Sequence, residues 1–239
     1  MAAVLGWASH VIELRPLELA RDAGNIGVFL KGYMHPSFAN AGEYAWQCVV
    51  TVCIALWGMV LGILVATPLG LLGARNLSPH PLVYHAARRT MDLLRAVNEF
   101  VFALMFVTAV GLGPFAGMLA LGIHTGGVLG KLLSETVEAI DPGQVEGVAG
   151  VGAGWLHVVA FGVAPQVAPN YLSYILLRFE SDIRSASVIG MVGGGGIGFY
   201  LWDTIRSFND REAATVILLI IAMVMLVDIV SARIRRAAI

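Results

Sequence analysis

The sequence predicts an all-α, polytopic bundle of transmembrane helices, and three observations carry that prediction. The 239 residues are 58% hydrophobic and only 13% charged, whereas a soluble domain is about a quarter charged. Mean hydropathy is +0.79, so the chain lacks the polar side chains to cover a surface that faces water. The apolar residues are also gathered into runs near the length a bilayer demands, about 20 residues for a spanning helix.

The elements follow in order. Residues 1–14 are apolar but too short to span; Glu13 interrupts them, and no basic stretch precedes them as in a signal peptide. Residues 45–72 form a full span with Pro68 as an expected kink. Residues 91–110 qualify as a second span that carries Arg95, Asn98 and Glu99, and residues 114–133 as a third. Residues 158–177 form a fourth, interrupted by Pro165 and Pro169. Residues 187–205 are apolar but broken by glycine. They are expected to be re-entrant or irregular, which is allowed at membrane depth only under cover of other protein. Residues 213–230 are the clearest span, with no charge before Asp228. The total is five spans, or six if residues 1–14 belong to one, plus the glycine-rich segment.

Orientation follows the Lys/Arg bias of the loops. Loop 73–90 carries Arg75, Arg88 and Arg89, and the tail carries Arg233, Arg235 and Arg236. Both are expected to be cytoplasmic. Alternation then places residues 1–44 outside and loop 134–157 inside, although that loop has no Lys or Arg.

Other classes are disfavoured. A formal net charge of −1 gives no basic stripe for nucleic acid. Cys48 and Cys53 lie in one apolar run without C-x-x-C spacing, and no metal-ligand pattern is present. The nearest approach to a Walker A loop is Gly130-Lys131 followed by Leu132, with Thr125 where the first glycine belongs. No H-E-x-x-H or G-x-S-x-G occurs, so catalysis is not expected.

Loop 134–157 has a helix written into it. Asp141 is a good N-cap, Pro142 stands at the first helical position, and Gln144 completes a capping box. Ile140 and Val145 are spaced for a hydrophobic staple, and Gly152 and Gly154 supply the stop. A helix over about residues 142–151 is expected.

Glu146, Gly152 six residues later and Pro165 thirteen after that resemble the EAA motif of ABC-importer permeases, with Gly147 and Val148 in place of its alanines. The stretches "NEFVFALMFVTAVGLGPFAGMLALGIHT" and "EGVAGVGAGWLHVVAFGVAPQVAPNYLSYILLRFESDIRSASVIGMVGGGGIG", with the basic tail, are similar to the phosphonate ABC-transporter permease family. That family includes relatives handling phosphite and hypophosphite. The similarity runs from about Pro16 to Ile239.

The resemblance implies a type I importer permease in the inner membrane. It implies a second copy of the chain, two cytoplasmic ATPase subunits and an extracytoplasmic solute-binding protein. ATP and magnesium would be bound by the ATPase, leaving this chain without a cofactor. Residues 1–44 would hold the remnant of an N-terminal helix and an extracytoplasmic segment. Residues 45–239 would form the permease domain, with Asp141, Pro142, Glu146 and Gly152 in the coupling loop 134–157. The rival class is an ion-coupled secondary transporter of a small anion. It would need a membrane carboxylate or histidine relay, for which Glu99, His124 and Glu180 are candidates.

Charged groups in a membrane cost roughly 2.5–3.5 kcal/mol at mid-helix, so each set needs a reason. Asn98 and Glu99 either pack at a helix start or line the path. His124 is either a satisfied hydrogen-bonding group or a ligand contact. In "RFESDIRS", Arg178–Asp182 and Glu180–Arg184 are spaced as i,i+4 pairs. The stretch is expected at an outer helix end, where either the charges neutralise one another or Arg178 or Arg184 attracts an oxyanion.

Gly193, Gly195 and Gly198 satisfy G-x-G-x-x-G. A dinucleotide turn needs a βαβ unit and an acidic residue about 20 positions on, yet that distance leads into a membrane span. Gly193, Gly194, Gly195 and Gly196 are instead expected to form either a simple tight turn or a gate on the translocation path. The pairs Gly58/Gly62, Gly113/Gly117, Gly122/Gly126 and Gly126/Gly130 are read as close helix packing, within or between protomers.

Overall fold

A computed structural model describes residues 1–12, 24, 27 and 31–238. Among them the elements are helical: α1 (Ala2–Val11), α2 (Ala41–Leu72), α3 (Pro81–Ala96), α4 (Glu99–Val110), α5 (Pro114–Glu138), α6 (Pro142–Gly150), α7 (Trp155–His157), a π-helical stretch Val158–Val163, α8 (Ala164–Ile189), a 3-10 turn Gly190–Val192, α9 (Ile197–Arg206) and α10 (Asp210–Ala238). Glu13, and part of the segment expected outside the membrane, lie outside the described residues.

Helices α2, α5 and α10 are each long and apolar enough to cross a membrane, and counting each of two bent pairs as one span gives five. The expected single span over residues 91–110 is corrected. It is broken at Val97-Asn98 into α3 and α4, which are bent by 87°. The cause is a local cap. Asn98 Oδ1 accepts the Phe100 N–H at 3.0 Å, so a new helix starts there with Glu99 in its first turn. Loop 73–90 is likewise already helical from Pro81, where His80 Nδ1 accepts the Leu82 N–H at 3.1 Å. The kink expected at Pro68 does not divide α2, which is helical throughout.

The core of the bundle is α2 running parallel to α5. Gly58 faces Leu121, Gly62 faces Thr125, and Gly70 faces Leu133, so the two helices advance together. A Cβ on Gly62 would stand 2.9 Å from Thr125 Cγ2, and one on Gly126 would stand 2.9 Å from Val65 Cβ. These small residues let backbones approach where lipid supplies no hydrophobic drive. The glycine stripes at Gly58/Gly62 and Gly122/Gly126/Gly130 therefore pack within one chain.

Helices α8 and α9 form the second bent pair, with an angle of 48°. Tyr200 on α9 donates to Glu43 at 2.7 Å, beside the start of α2. Tyr44 donates to Glu212 at the start of α10, also at 2.7 Å. The chain thus carries on through the glycines to the opposite end of the bundle and does not turn back. The segment is a broken span rather than a re-entrant loop.

At the other end the two loops expected to be cytoplasmic are bonded together. Arg88 pairs with Glu138 at 2.7 Å, the Arg75 N–H donates to the same carboxylate at 2.8 Å, and Trp155 Nε1 donates to the Leu77 carbonyl at 3.1 Å. Loop 134–157, which has no positive charge of its own, thus shares a side with the arginine-bearing loop.

Candidate functional site

Three groups of residues singled out in the sequence occupy three levels of the bundle. The first is the glycine turn. Gly193, Gly195 and Gly196 have φ of +96°, +78° and +77°, a region that favours glycine. Gly194 lies against Gly117, where a Cβ would meet the Gly194 carbonyl oxygen at 2.5 Å. A Cβ on Gly195 would stand 2.7 Å from the Pro114 nitrogen. The turn is also hydrogen-bonded on two sides. The Gly113 N–H donates to the Gly193 carbonyl at 2.9 Å, and the Ile197 N–H donates to Thr51 Oγ1 at 2.9 Å. All four glycines are therefore packed within this chain against α2 and the start of α5.

The second group is a polar junction between α4, α5 and α8. Glu99 accepts a hydrogen bond from Ser185 at 2.8 Å and stands 3.6 Å from His124 Nε2. His124 Nδ1 contacts the Val97 carbonyl at 3.0 Å. That carbonyl belongs to the break between α3 and α4, so Nδ1 is the donor and the histidine satisfies a group freed by the bend. Asn98 caps the bend itself.

Beside it Asp182, with no exposed surface, accepts from Thr125 at 2.8 Å and pairs with Arg178 at 2.9 Å. Arg178 Nε also donates to Thr125 Oγ1 at 3.2 Å, so the guanidinium is tied to both partners. The i,i+4 pair Arg178–Asp182 exists as expected. The pair Glu180–Arg184 does not: Glu180 pairs with Arg235, and Arg184 with Asp228 at 3.5 Å, both reaching across to α10. The stretch also sits in the body of the bundle, level with Thr125 and Gly62, instead of at an outer helix end. Sequence reasoning left Ser185 out of this network. Its signal was a hydroxyl about one turn beyond Asp182, at the end of the charged stretch.

The third group surrounds α6. Asp141 Oδ1 accepts the Gly143 N–H at 2.9 Å, so the N-cap is present. The expected return bond from Gln144 is replaced. The Asp141 N–H donates to Gln166 Oε1 at 3.1 Å, and Gln166 Nε2 donates to the carbonyls of Asp141 and Gly162 at 3.3 and 2.7 Å. A residue of α8 thus completes the cap and fastens α6 to the bundle. Ile140, Val145 and Val148 pack on a cluster that includes Leu133, Val158 and Val167. The opposite face is bare: Glu146 and Gly147 are exposed. Gly152 ends the helix region at φ +80°. Val151, Leu156 and Phe161, in and after this turn, are 84%, 71% and 67% exposed.

Comparison with known proteins follows the same lines. Residues 58–238 match the family described as "Binding-protein-dependent transport system inner membrane component". The phosphite transport system permease protein PtxC of Stutzerimonas stutzeri is 36% identical over 203 residues, covering 85% of this chain and 74% of that protein. The phosphate-import permease protein PhnE of Mycolicibacterium smegmatis is 37% identical over 212 residues, 88% of this chain, and the chain spans only 40% of that protein's length. In fold, the chain is similar to a chain of the MetNI methionine ABC transporter in an inward-facing conformation. The TM-score is 0.70 at 18% identity, over 82% of this chain and 95% of that one.

Proposed function

The chain belongs to the family of inner-membrane components of binding-protein-dependent transport systems, and we propose that it is the permease subunit of an ABC importer for a phosphorus oxyanion. The substrate class is phosphonate, phosphite or a close relative. The observation that carries this reading is the relatedness over most of the chain to a phosphite permease. In it the chain forms the translocation path and hydrolyses no ATP itself.

The structure supports the division of labour. Helix α6 is capped at its start, fastened by Gln166 and bare on one face. The exposed side chains of Val151 and Leu156, next to α6, would be costly if left wet. Two ATPase subunits, one for each of two permease copies, would cover them. Glu146 and Gly152 would stand at the contact in the manner of an EAA motif. ATP and magnesium would reside on those subunits, and a solute-binding protein would dock outside.

The rival, an ion-coupled carrier, would use a free membrane carboxylate. Here Glu99 is held by Ser185, and Asp182 by Thr125 and Arg178. The test is growth. Cells lacking their own uptake systems should grow on phosphite or methylphosphonate as sole phosphorus source when this chain is expressed with its ATPase and binding protein. Growth without the ATPase would overturn the reading.

A further inference from the structure

Of the cationic groups singled out for an anion, Arg178 is tied to Asp182 and Thr125, and Arg184 stands 3.5 Å from a carboxylate of its own, Asp228. In a second set, two cations share a single carboxylate. A cleft of about 480 Å³ opens between α3 and α5, lined by Asp92, Arg95, Ala96, His124 and Val128. Lys131, one turn beyond Val128 on α5, meets the cleft through Asp92, to which it is paired. Arg95 and Lys131 share one carboxylate: Asp92 Oδ1 stands 3.6 Å from Arg95 Nε and 3.5 Å from Lys131 Nζ. Both separations exceed those of tight charge-assisted hydrogen bonds, about 2.7–2.9 Å. Two cations thus share one carboxylate at the cleft, while Glu99 stands against the far nitrogen of the buried His124.

The geometry points to this cleft as a transit site for a small oxyanion, with Arg95 on its wall, Lys131 beside it behind Asp92, and Asp92 as the resident counter-ion. This rests on the reading of the chain as an oxyanion permease. An arriving tetrahedral oxyanion takes the place of the Asp92 carboxylate between the two cations. Asp92 then re-forms its pairs and displaces the anion onward. The exchange leaves neither cation unpaired in a low-dielectric setting, where an isolated charge is expensive. It also keeps the site weak, because the protein supplies its own competitor. A permease needs that weakness to release what it carries. The position suits the role: Gly127 packs against Leu94 and Gly130 against Met91, so the cleft lies on the α3–α5 contact, between the polar junction and the end of the bundle that carries α6.

The test uses the complete complex, permease with ATPase and binding protein, in proteoliposomes with phosphite as the probe. Arg95→Gln with Lys131→Gln is expected to cut uptake at least about tenfold, the loss of one or two charge-assisted bonds. ATP hydrolysis stimulated by the binding protein should persist. Arg95→Lys, which keeps the charge on an exposed side chain, should retain most uptake. Asp92→Asn, which removes the competitor, should make phosphite binding to the permease detectable without the binding protein. Unchanged uptake by the double variant, or Asp92→Asn behaving as wild type in both assays, would overturn the site. Failure of the wild-type complex to import phosphite or methylphosphonate would instead strike the function on which it rests.

Discussion

Thr125 donates a 2.8 Å hydrogen bond to Asp182, joining the middle of α5 to the middle of α8 through a carboxylate with no exposed surface. Arg178 completes the set. Removing one partner strands the others. Asp182→Ala is expected to cost about 3–5 kcal/mol, and Thr125→Val about 1–3 kcal/mol. Thermal unfolding in detergent measures both. Replacing Arg178 and Asp182 together by Met and Leu should recover most of the loss, since an apolar pair of similar volume is often neutral. Normal uptake by that double variant would mark Arg178 as structural and remove it from the path.

The glycine turn makes a contrasting pair of predictions. Gly195→Ala puts a side chain at φ +78° and against Pro114, so it should destabilise by about 1–3 kcal/mol and lower the amount of assembled protein. Gly147→Ala sits in α6 with nothing within 4 Å and should stabilise that helix by about 0.5–1 kcal/mol. Thermal shifts of opposite sign are the expected readout.

The turn also bears on uptake. Gly194→Val, in a complex that still assembles with its ATPase, is expected to abolish transport if the turn acts as a gate. Uptake in proportion to the amount of assembled complex would reduce it to a tight turn.

Coupling is tested on the bare face of α6. Glu146→Lys reverses an exposed charge outside every ion pair of the described residues. Membrane level should hold while ATP hydrolysis stimulated by the binding protein falls. Gly152→Trp meets no neighbour within 4 Å but places a side chain at φ +80°, so it should lower the amount of assembled protein somewhat and, per assembled complex, lower stimulated ATP hydrolysis. Gln166→Leu removes the two hydrogen bonds to Asp141 that fasten α6. It should weaken coupling less than Glu146→Lys does, since Ile140, Val145 and Val148 still hold the helix. Pull-down of the ATPase separates lost docking from lost stimulation.

Much of the fold was legible because hydropathy is additive along a run. Residues 45–72, 114–133 and 213–230 are each apolar over about the length needed to span, and each lies in one helix. The break at Val97 was not read, because averaging hides a single polar residue. The signal was Asn98 followed by Glu99, a cap with an acid in the first turn. The helix at residues 142–150 was read from Asp141 and Pro142, which act locally. Its second anchor, Gln166, lies 25 residues away and could not be found from spacing. The charged stretch failed for the same reason. Glu180 and Arg184 have suitable helical spacing, but α10 offers Arg235 and Asp228, and tertiary neighbours chose the pairs. For the candidate site, the costly charges in apolar runs stood out in the sequence. The cations Arg95 and Lys131 come from different helices, and only the packing of α3 on α5 brings them to one carboxylate.

The most direct measurement is uptake of phosphite into proteoliposomes holding this chain with its ATPase, binding protein and ATP, with and without ionophores that collapse proton and sodium gradients. The account predicts accumulation that requires ATP and the binding protein and is indifferent to the ionophores. Accumulation without ATP that stops when a gradient is collapsed would contradict it.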